Sequence, residues 1–128
     1  MSTYAFAYTF RGCTLLATVP ELLFKHNTAV TTDGFRETFK HCNKLQLNAK
    51  IFYDTGDSGT RFLNRVSDFG DCFYRDTFTG IQGTAPDLWN CDFGTETPTT
   101  TDCFGGDGNS STSLTNDASI PAAWGGPA

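Results

Sequence analysis

Hydrophobic positions in this chain return in a fixed order four times, each return opening on a box built around phenylalanine. The boxes read Phe6-Ala-Tyr-Thr-Phe10-Arg-Gly-Cys13, Phe35-Arg-Glu-Thr-Phe39-Lys-His-Cys42, Phe69-Gly-Asp-Cys-Phe73-Tyr-Arg-Asp76 and a degraded Thr100-Thr-Asp-Cys-Phe104-Gly-Gly-Asp107. Phe10, Phe39, Phe73 and Phe104 stand 29, 34 and 31 residues apart, the spacing of stacked repeats rather than of a single closed globule. Within a box the apolar positions fall at i, i+4 and i+7, which places Phe35, Phe39 and Cys42 on one face of a two-turn helix. Asp33, Asp68 and Asp102 stand just upstream, where a carboxylate caps the first free amides of such a helix.

Downstream of each box runs a short aliphatic stretch: Leu16 to Pro20, Leu45 to Ala49, Ile81 to Pro86 and Leu114 to Pro121. Each is short enough and patterned enough for one strand, with proline ending three of the four. An apolar anchor follows (Leu23 and Phe24, Ile51 and Phe52, Leu88 and Trp89, Trp124) and is expected to pack the convex side. Val30 to Thr32, Phe62 to Ser67 and Thr97 to Thr101 predict a second short strand or extended turn. One such unit cannot cover its own apolar face, so neighbours must stack ring on ring and strand beside strand. The pattern predicts an α/β repeat solenoid, a single domain over 1–128, with about four units (6–34, 35–68, 69–99, 100–128), each holding a short parallel strand and a short helical turn. The first unit begins at Phe6 with no cap before it, so its N-terminal face is expected to be sticky unless a missing segment or a partner subunit covers it, whereas Gly-Gly-Pro-Ala reads as a stop. Alanine at Phe10 or Phe39 is expected to lower the melting temperature sharply, and alanine at Arg36 or Lys40 barely to move it.

Composition narrows the function. A net charge of −5 over 128 residues, with scattered basic residues, is a poor match for nucleic acid. No stretch approaches the roughly 20 apolar residues that span a bilayer, and Met-Ser-Thr-Tyr-Ala-Phe lacks the basic start and apolar run of a signal peptide. Thirteen glycines and a large Thr/Ser/Asn/Asp share argue for many turns and against long helices.

Candidate chemistry is sparse. Five cysteines make an odd count without any Cys-x-x-Cys pair. Repeat phase accounts for them instead: Cys13 and Cys42 share one slot, Cys72 and Cys103 another, as small apolar core residues. A bridge between Cys72 and Cys103, or Cys91 and Cys103, is the alternative. Zinc lacks a ligand set, since only His26 and His41 could join the thiols and neither recurs at ligand spacing. Asp54-Thr-Gly-Asp57-Ser-Gly59 holds two aspartic-protease triplets, too close together to form one dyad, and reads as a polar turn. Gly105-Gly-Asp-Gly-Asn109 resembles a single arm of a calcium-binding nonapeptide; Asp102, Asp107 and Asp117 would have to gather around the ion, and the alternative is a glycine turn. No nucleophile is paired with a base, so the expectation is no enzyme, no cofactor and no metal. For binding, the exposed candidates are strand-facing Thr18, Gln46 and Gln82 and the aromatics Tyr53, Tyr74, Trp89 and Trp124, although recurrence in register favours core packing for the rings; no single residue stands out.

The repeated Phe-x-x-Cys-x-x-Leu, Val19-Pro-x-x-Leu-Phe24, Val30-Thr-Thr-Asp33 and Ala85-Pro-Asp-Leu-Trp89 resemble the BspA-type leucine-rich repeats of bacterial surface proteins and phage tail or fibre proteins. The resemblance runs from Phe6 to Trp124 and departs where Asp76 replaces the cysteine and Gly105 to Gly108 replace the helix end. It implies a leucine-rich-repeat-like solenoid and a non-catalytic interaction or attachment module of a virion or bacterial cell surface. Partners would be a protein or surface-glycan receptor or a neighbouring virion subunit, without nucleic acid or membrane insertion. The alternative is a purely structural subunit that stacks end to end with itself, as a homo-oligomer, or with a neighbour.

Overall fold

The computed structural model of the chain describes residues 4–27, 32–54, 58–74, 80–106 and 113–127. The boxes do not fold as helices. In the first box Thr9 N–H donates to Phe6 O, Arg11 to Tyr8 and Cys13 to Phe10, each three residues back, while Phe6, Tyr8, Phe10 and Gly12 donate instead to Gly34, Arg36, Thr38 and Lys40 of the next box. Amides thus alternate between closing a turn in their own layer and joining the layer below. The second box repeats the scheme: Phe35, Glu37, Phe39 and His41 donate to Asp68, Gly70, Cys72 and Tyr74. The third does so through Phe69, Asp71 and Phe73, bonded to Thr99, Thr101 and Cys103.

The turns follow one another every two residues and their backbone conformation repeats every four, which is why Phe at i and i+4 imitates a helical face. Every fourth residue carries a positive φ: Tyr4, Tyr8 and Gly12 in the first box (65°, 62° and 73°), Asp33, Glu37 and His41 in the second (55°, 52° and 65°). That backbone cannot continue a right-handed helix. A two-turn helix is marginal by itself, and the turn ladder gives half of its amides a partner in the adjacent layer. Asp33, Asp68 and Asp102 therefore have no helix to cap; Asp33 and Asp102 are left-handed (55° and 49°), and Asp68 Oδ1 accepts from Gly70 N at 2.7 Å.

The expected strands shrink to β1 (Gln46–Leu47), β2 (Gln82–Gly83) and β3 (Ser113–Leu114), an open parallel sheet in the order β1-β2-β3. Gln46 pairs with Gln82 and Gln82 with Ser113, and Thr18 joins Gln46 by a single parallel bridge. Of the predicted second strands, Asp68 opposite Thr99 is a lone bridge, and Val30 and Thr31 lie outside the described residues. The helical content among the described residues is confined to the 3-10 turns Ser58–Thr60, Leu88–Asn90, Asp117–Ser119 and Ala122–Trp124. These findings overturn the α/β repeat solenoid of leucine-rich-repeat type: among the described residues there is no helix layer opposite the strands, and turns carry the stacking.

Aromatic columns fill the interior. Phe10, Phe39, Phe73 and Phe104 follow one another at 5.2, 5.5 and 5.3 Å between centroids, tilted by 10°, 5° and 3°. Phe6, Phe35 and Phe69 form a second column at 5.7 and 5.6 Å. Thr100 offers no ring at the next level, and Trp124 of the C-terminal tail takes that place, 5.8 Å from Phe69. Edge contacts tie the columns together, among them Phe35 to Phe52 at 5.0 Å and Phe62 to Phe69 at 5.2 Å, the arrangement that ring quadrupoles favour. The anchors Phe24, Ile51, Phe52 and Leu88 are buried in this core rather than packed on an outer side.

The two ends of the stack differ. At the C-terminal end the tail folds under the fourth box, where Phe104 N donates to Trp124 O at 2.9 Å and the Thr100 hydroxyl to Ala123 O at 2.6 Å. Ile120 and Trp124 are buried there. Gly125 (φ 87°) lies so close to the box that a Cβ would come 2.6 Å from Gly105 N, so the glycines let the tail approach the last layer. The N-terminal end carries no comparable cover among the described residues.

Candidate interaction surfaces

The sheet face is a polar ladder. Gln46 Nε2 donates to Gln82 Oε1 at 3.2 Å, and the Thr84 and Thr115 hydroxyls lie 2.7 Å apart, all in exposed pairs. The same parallel pairing that aligns the backbone brings these side chains together. Asn116 closes the edge, accepting from Ala85 N and donating to Ala85 O at 3.0 Å each. Asn48 reaches back to Val19 O at 3.0 Å. Thr18, Gln46 and Gln82 are therefore gathered on one exposed face, as the sequence indicated.

The aromatic candidates are not gathered with them. Tyr53 is buried, its hydroxyl donating to Asp87 Oδ1 at 2.7 Å; burial and that hydrogen bond push its phenol well above the ordinary range. Trp124 belongs to the tail, and the half-buried Trp89 meets Phe104 edge-on at 6.0 Å. The face of Tyr74 is occupied by Lys40 Nζ, 4.7 Å from the ring centre.

A charged ladder lines the box edge. Arg11 Nε lies 3.2 Å from Glu37 Oε2, and Lys40 Nζ sits between Glu37 Oε1 at 3.8 Å and Asp71 Oδ2 at 3.5 Å. Glu37 Oε2 receives no well-aligned hydrogen bond, so its contact with Arg11 is ionic rather than directional. Arg36 pairs with Asp68 at 3.5 Å, and burial pushes the Asp68 carboxyl up although the Gly70 amide and Arg36 pull it down. Arg61 spans two layers from inside, Nε on Phe52 O at 3.1 Å and Nη2 on Phe24 O at 2.5 Å, and burial lowers its pKa.

All five cysteines are free thiols, so neither candidate bridge is present. Cys42, Cys72 and Cys103 are buried, Cys91 is half-buried and Cys13 is exposed. Burial pushes Cys42 and Cys91 up to about 11 and raises Cys72 and Cys103 as well, which leaves little thiolate at neutral pH. Cys72 and Cys103 follow Thr38 in one fully buried column, where the Thr38 hydroxyl lies 2.8 Å from Phe35 O and 3.0 Å from Phe6 O. No group of three or more His, Cys, Asp or Glu side chains is placed to hold a metal ion among the described residues. Asp107 and Asn109 of the glycine turn, like Thr55 to Asp57 of the triplets, lie outside them. Asp54 is exposed and pairs with Lys50 at 3.5 Å. No described helix is long and apolar enough to cross a membrane.

The open end is the surface with the least internal satisfaction. Slot by slot, the first layer exposes what the second buries: Thr9 and Cys13 are exposed where Thr38 and Cys42 are fully buried, and Phe10 and Leu16 are half-buried where Phe39 and Leu45 are fully buried. The carbonyls of Gly34, Arg36, Thr38 and Lys40 each accept an amide from the layer above. Their counterparts Ala5, Ala7, Thr9 and Arg11 receive no backbone amide from any described residue. Sequence reasoning located this end but not its exposed slots, which register alone would have supplied by aligning Thr9 with Thr38 and Cys13 with Cys42.

No family model matches the chain, and no curated protein or solved structure is significantly similar to it.

Proposed function

We propose that the chain is a non-catalytic interaction module that attaches to a protein partner through the N-terminal end of its stack. The observation that carries this reading is the asymmetry of the ends: Trp124 and Ile120 close one, while Phe6, Phe10 and Leu16 are left part-covered at the other. Apolar rings beside carbonyls that take no backbone amide from any described residue form a surface that gains from being covered. Raised pKa values at Cys42, Cys72, Cys91 and Cys103 argue against those four thiols as nucleophiles, and the ion pairs of the box edge occupy Glu37, Asp68 and Asp71. The sequence resemblance supplies the setting, a phage virion or a bacterial cell surface.

Head-to-tail stacking of identical copies is the competing reading, and the tail lies across the surface such a contact requires. Partner capture on immobilised protein tests the proposal. A protein retained by the wild type and by Gln46→Ala but released by Thr9→Glu supports attachment through the open end. Retention that ignores Thr9→Glu and fails with Gln46→Ala moves the function to the sheet face and overturns it.

A further inference from the structure

The open end is more specific than an apolar patch, because its hydrogen-bonding groups stand in a fixed order. Where two boxes meet, four consecutive alternate amides of the upper box, Phe6, Tyr8, Phe10 and Gly12, donate to four alternate carbonyls of the lower one at 2.8 to 3.1 Å. The first box repeats the positive φ values of the second at the same four-residue spacing, so its carbonyls at Ala5, Ala7, Thr9 and Arg11 point away from the stack as those of Gly34, Arg36, Thr38 and Lys40 point into it. The rings of Phe6 and Phe10 each have a stacking partner on one side only, Phe35 and Phe39.

We propose that this end takes a partner polypeptide that folds onto it as a further turn-built layer, presenting backbone N–H groups at alternate residues and two aromatic rings four residues apart. The inference rests on the reading of the open end as the attachment surface and names the chemistry of what attaches. A second copy of this chain does not supply it. Two copies meeting box against box at their open ends would set acceptors against acceptors, and at the other end the tail lies across the last box, where Trp124 O takes the Phe104 amide. The first box of this sequence is itself a donor of the right kind, and a synthetic peptide covering residues 4–24 is the probe.

Fluorescence anisotropy of the labelled peptide, titrated with the intact protein, provides the test. The expected result is saturable binding, weakened at least roughly tenfold when the peptide amides of Tyr8 and Phe10 are N-methylated, and unchanged when Ala5 is. In the protein, Thr9→Glu should abolish binding because that side chain enters the interlayer space, whereas Leu15→Glu, at an outward position 80% exposed, should not. Three outcomes overturn the proposal: absence of saturable binding, binding indifferent to N-methylation at Tyr8 and Phe10, or concentration-dependent dimers of the intact protein that Thr9→Glu dissolves. If peptide binding fails while captured partners still depend on Thr9, the attachment reading stands with a partner of different chemistry.

Discussion

Position in the stack, rather than residue type, decides what each phenylalanine contributes. Phe39 is 0% exposed between Phe10 and Phe73, while Phe10 has a ring on one side only. Phe39→Ala should therefore cost roughly 3–5 kcal/mol and Phe10→Ala about 1–2 kcal/mol, the part of a ring that is covered; urea melts of the two variants measure the gap. The expectation that alanine lowers stability sharply at either position thus holds for Phe39 and weakens for Phe10. The expectation that Lys40 is idle weakens too, since its side chain is 17% exposed and held among Glu37, Asp71 and Tyr74. Lys40→Ala should cost about 1 kcal/mol, more than Arg36→Ala, whose own side chain is nearly half exposed where it meets Asp68.

The thiols add a pH dependence of known sign. Burial raises Cys42 and Cys91 to about 11, above an unfolded value near ~8.5. A group whose folded pKa is raised in this way contributes its full stability below the unfolded value and loses it as pH rises through the folded one. Denaturation midpoints should hold up to about pH 8.5 and then fall toward pH 11, and a Cys42→Ala, Cys91→Ala protein should fall less steeply. Under native conditions a thiol reagent should modify Cys13 first, with Cys42, Cys72 and Cys103 reacting only on unfolding.

At the scale of elements, two-residue strands hold because each layer is joined to the next along several edges at once. Gly83 is where this tolerance ends. Its φ is 89°, and a Cβ there would lie 2.1 Å from Leu47 O, inside the hydrogen-bonding approach of β1 and β2. Gly83→Ala should separate the strands, releasing the Gln82 and Thr84 amides from Leu45 and Leu47; faster hydrogen exchange at those two amides, beside unchanged exchange at Phe39, locates the damage. The sequence made the spacing legible because Phe10, Phe39, Phe73 and Phe104 occupy one phase, and the structure stacks them. It made the strand positions legible within a few residues, from Leu45 to Leu47 and from Ile81 onward. The helix was misread because a four-residue turn ladder and a 3.6-residue helix put the same side chains inward over two turns, and only backbone φ at Glu37 or His41 separates them. The polar face was legible from Gln46 and Gln82, but the carbonyl row at the open end was not, since backbone acceptors leave no mark on residue identity.

For the whole molecule, the ends have opposite polarity, and the tail is what prevents them from meeting. Box carbonyls face outward at the N-terminal end, and box amides face the C-terminal end, where Phe104 N is taken by Trp124 O. Removing residues 120–128 uncovers Phe104 and Phe69 together with that amide, which creates a surface complementary to the open end of another copy. Contacts between two different surfaces of one molecule do not close on themselves unless the rotation happens to form a ring, so they propagate. The truncated chain should form long assemblies whose sedimentation grows with concentration, while the intact chain stays monomeric under the same conditions. Adding Thr9→Glu to the truncated chain should return it to a monomer, because a carboxylate then occupies the slot that Thr38 fills between layers. A truncated chain that unfolds instead, seen as loss of its far-ultraviolet circular dichroism with and without Thr9→Glu, would show that the tail holds the last layer in place rather than shielding it from a partner.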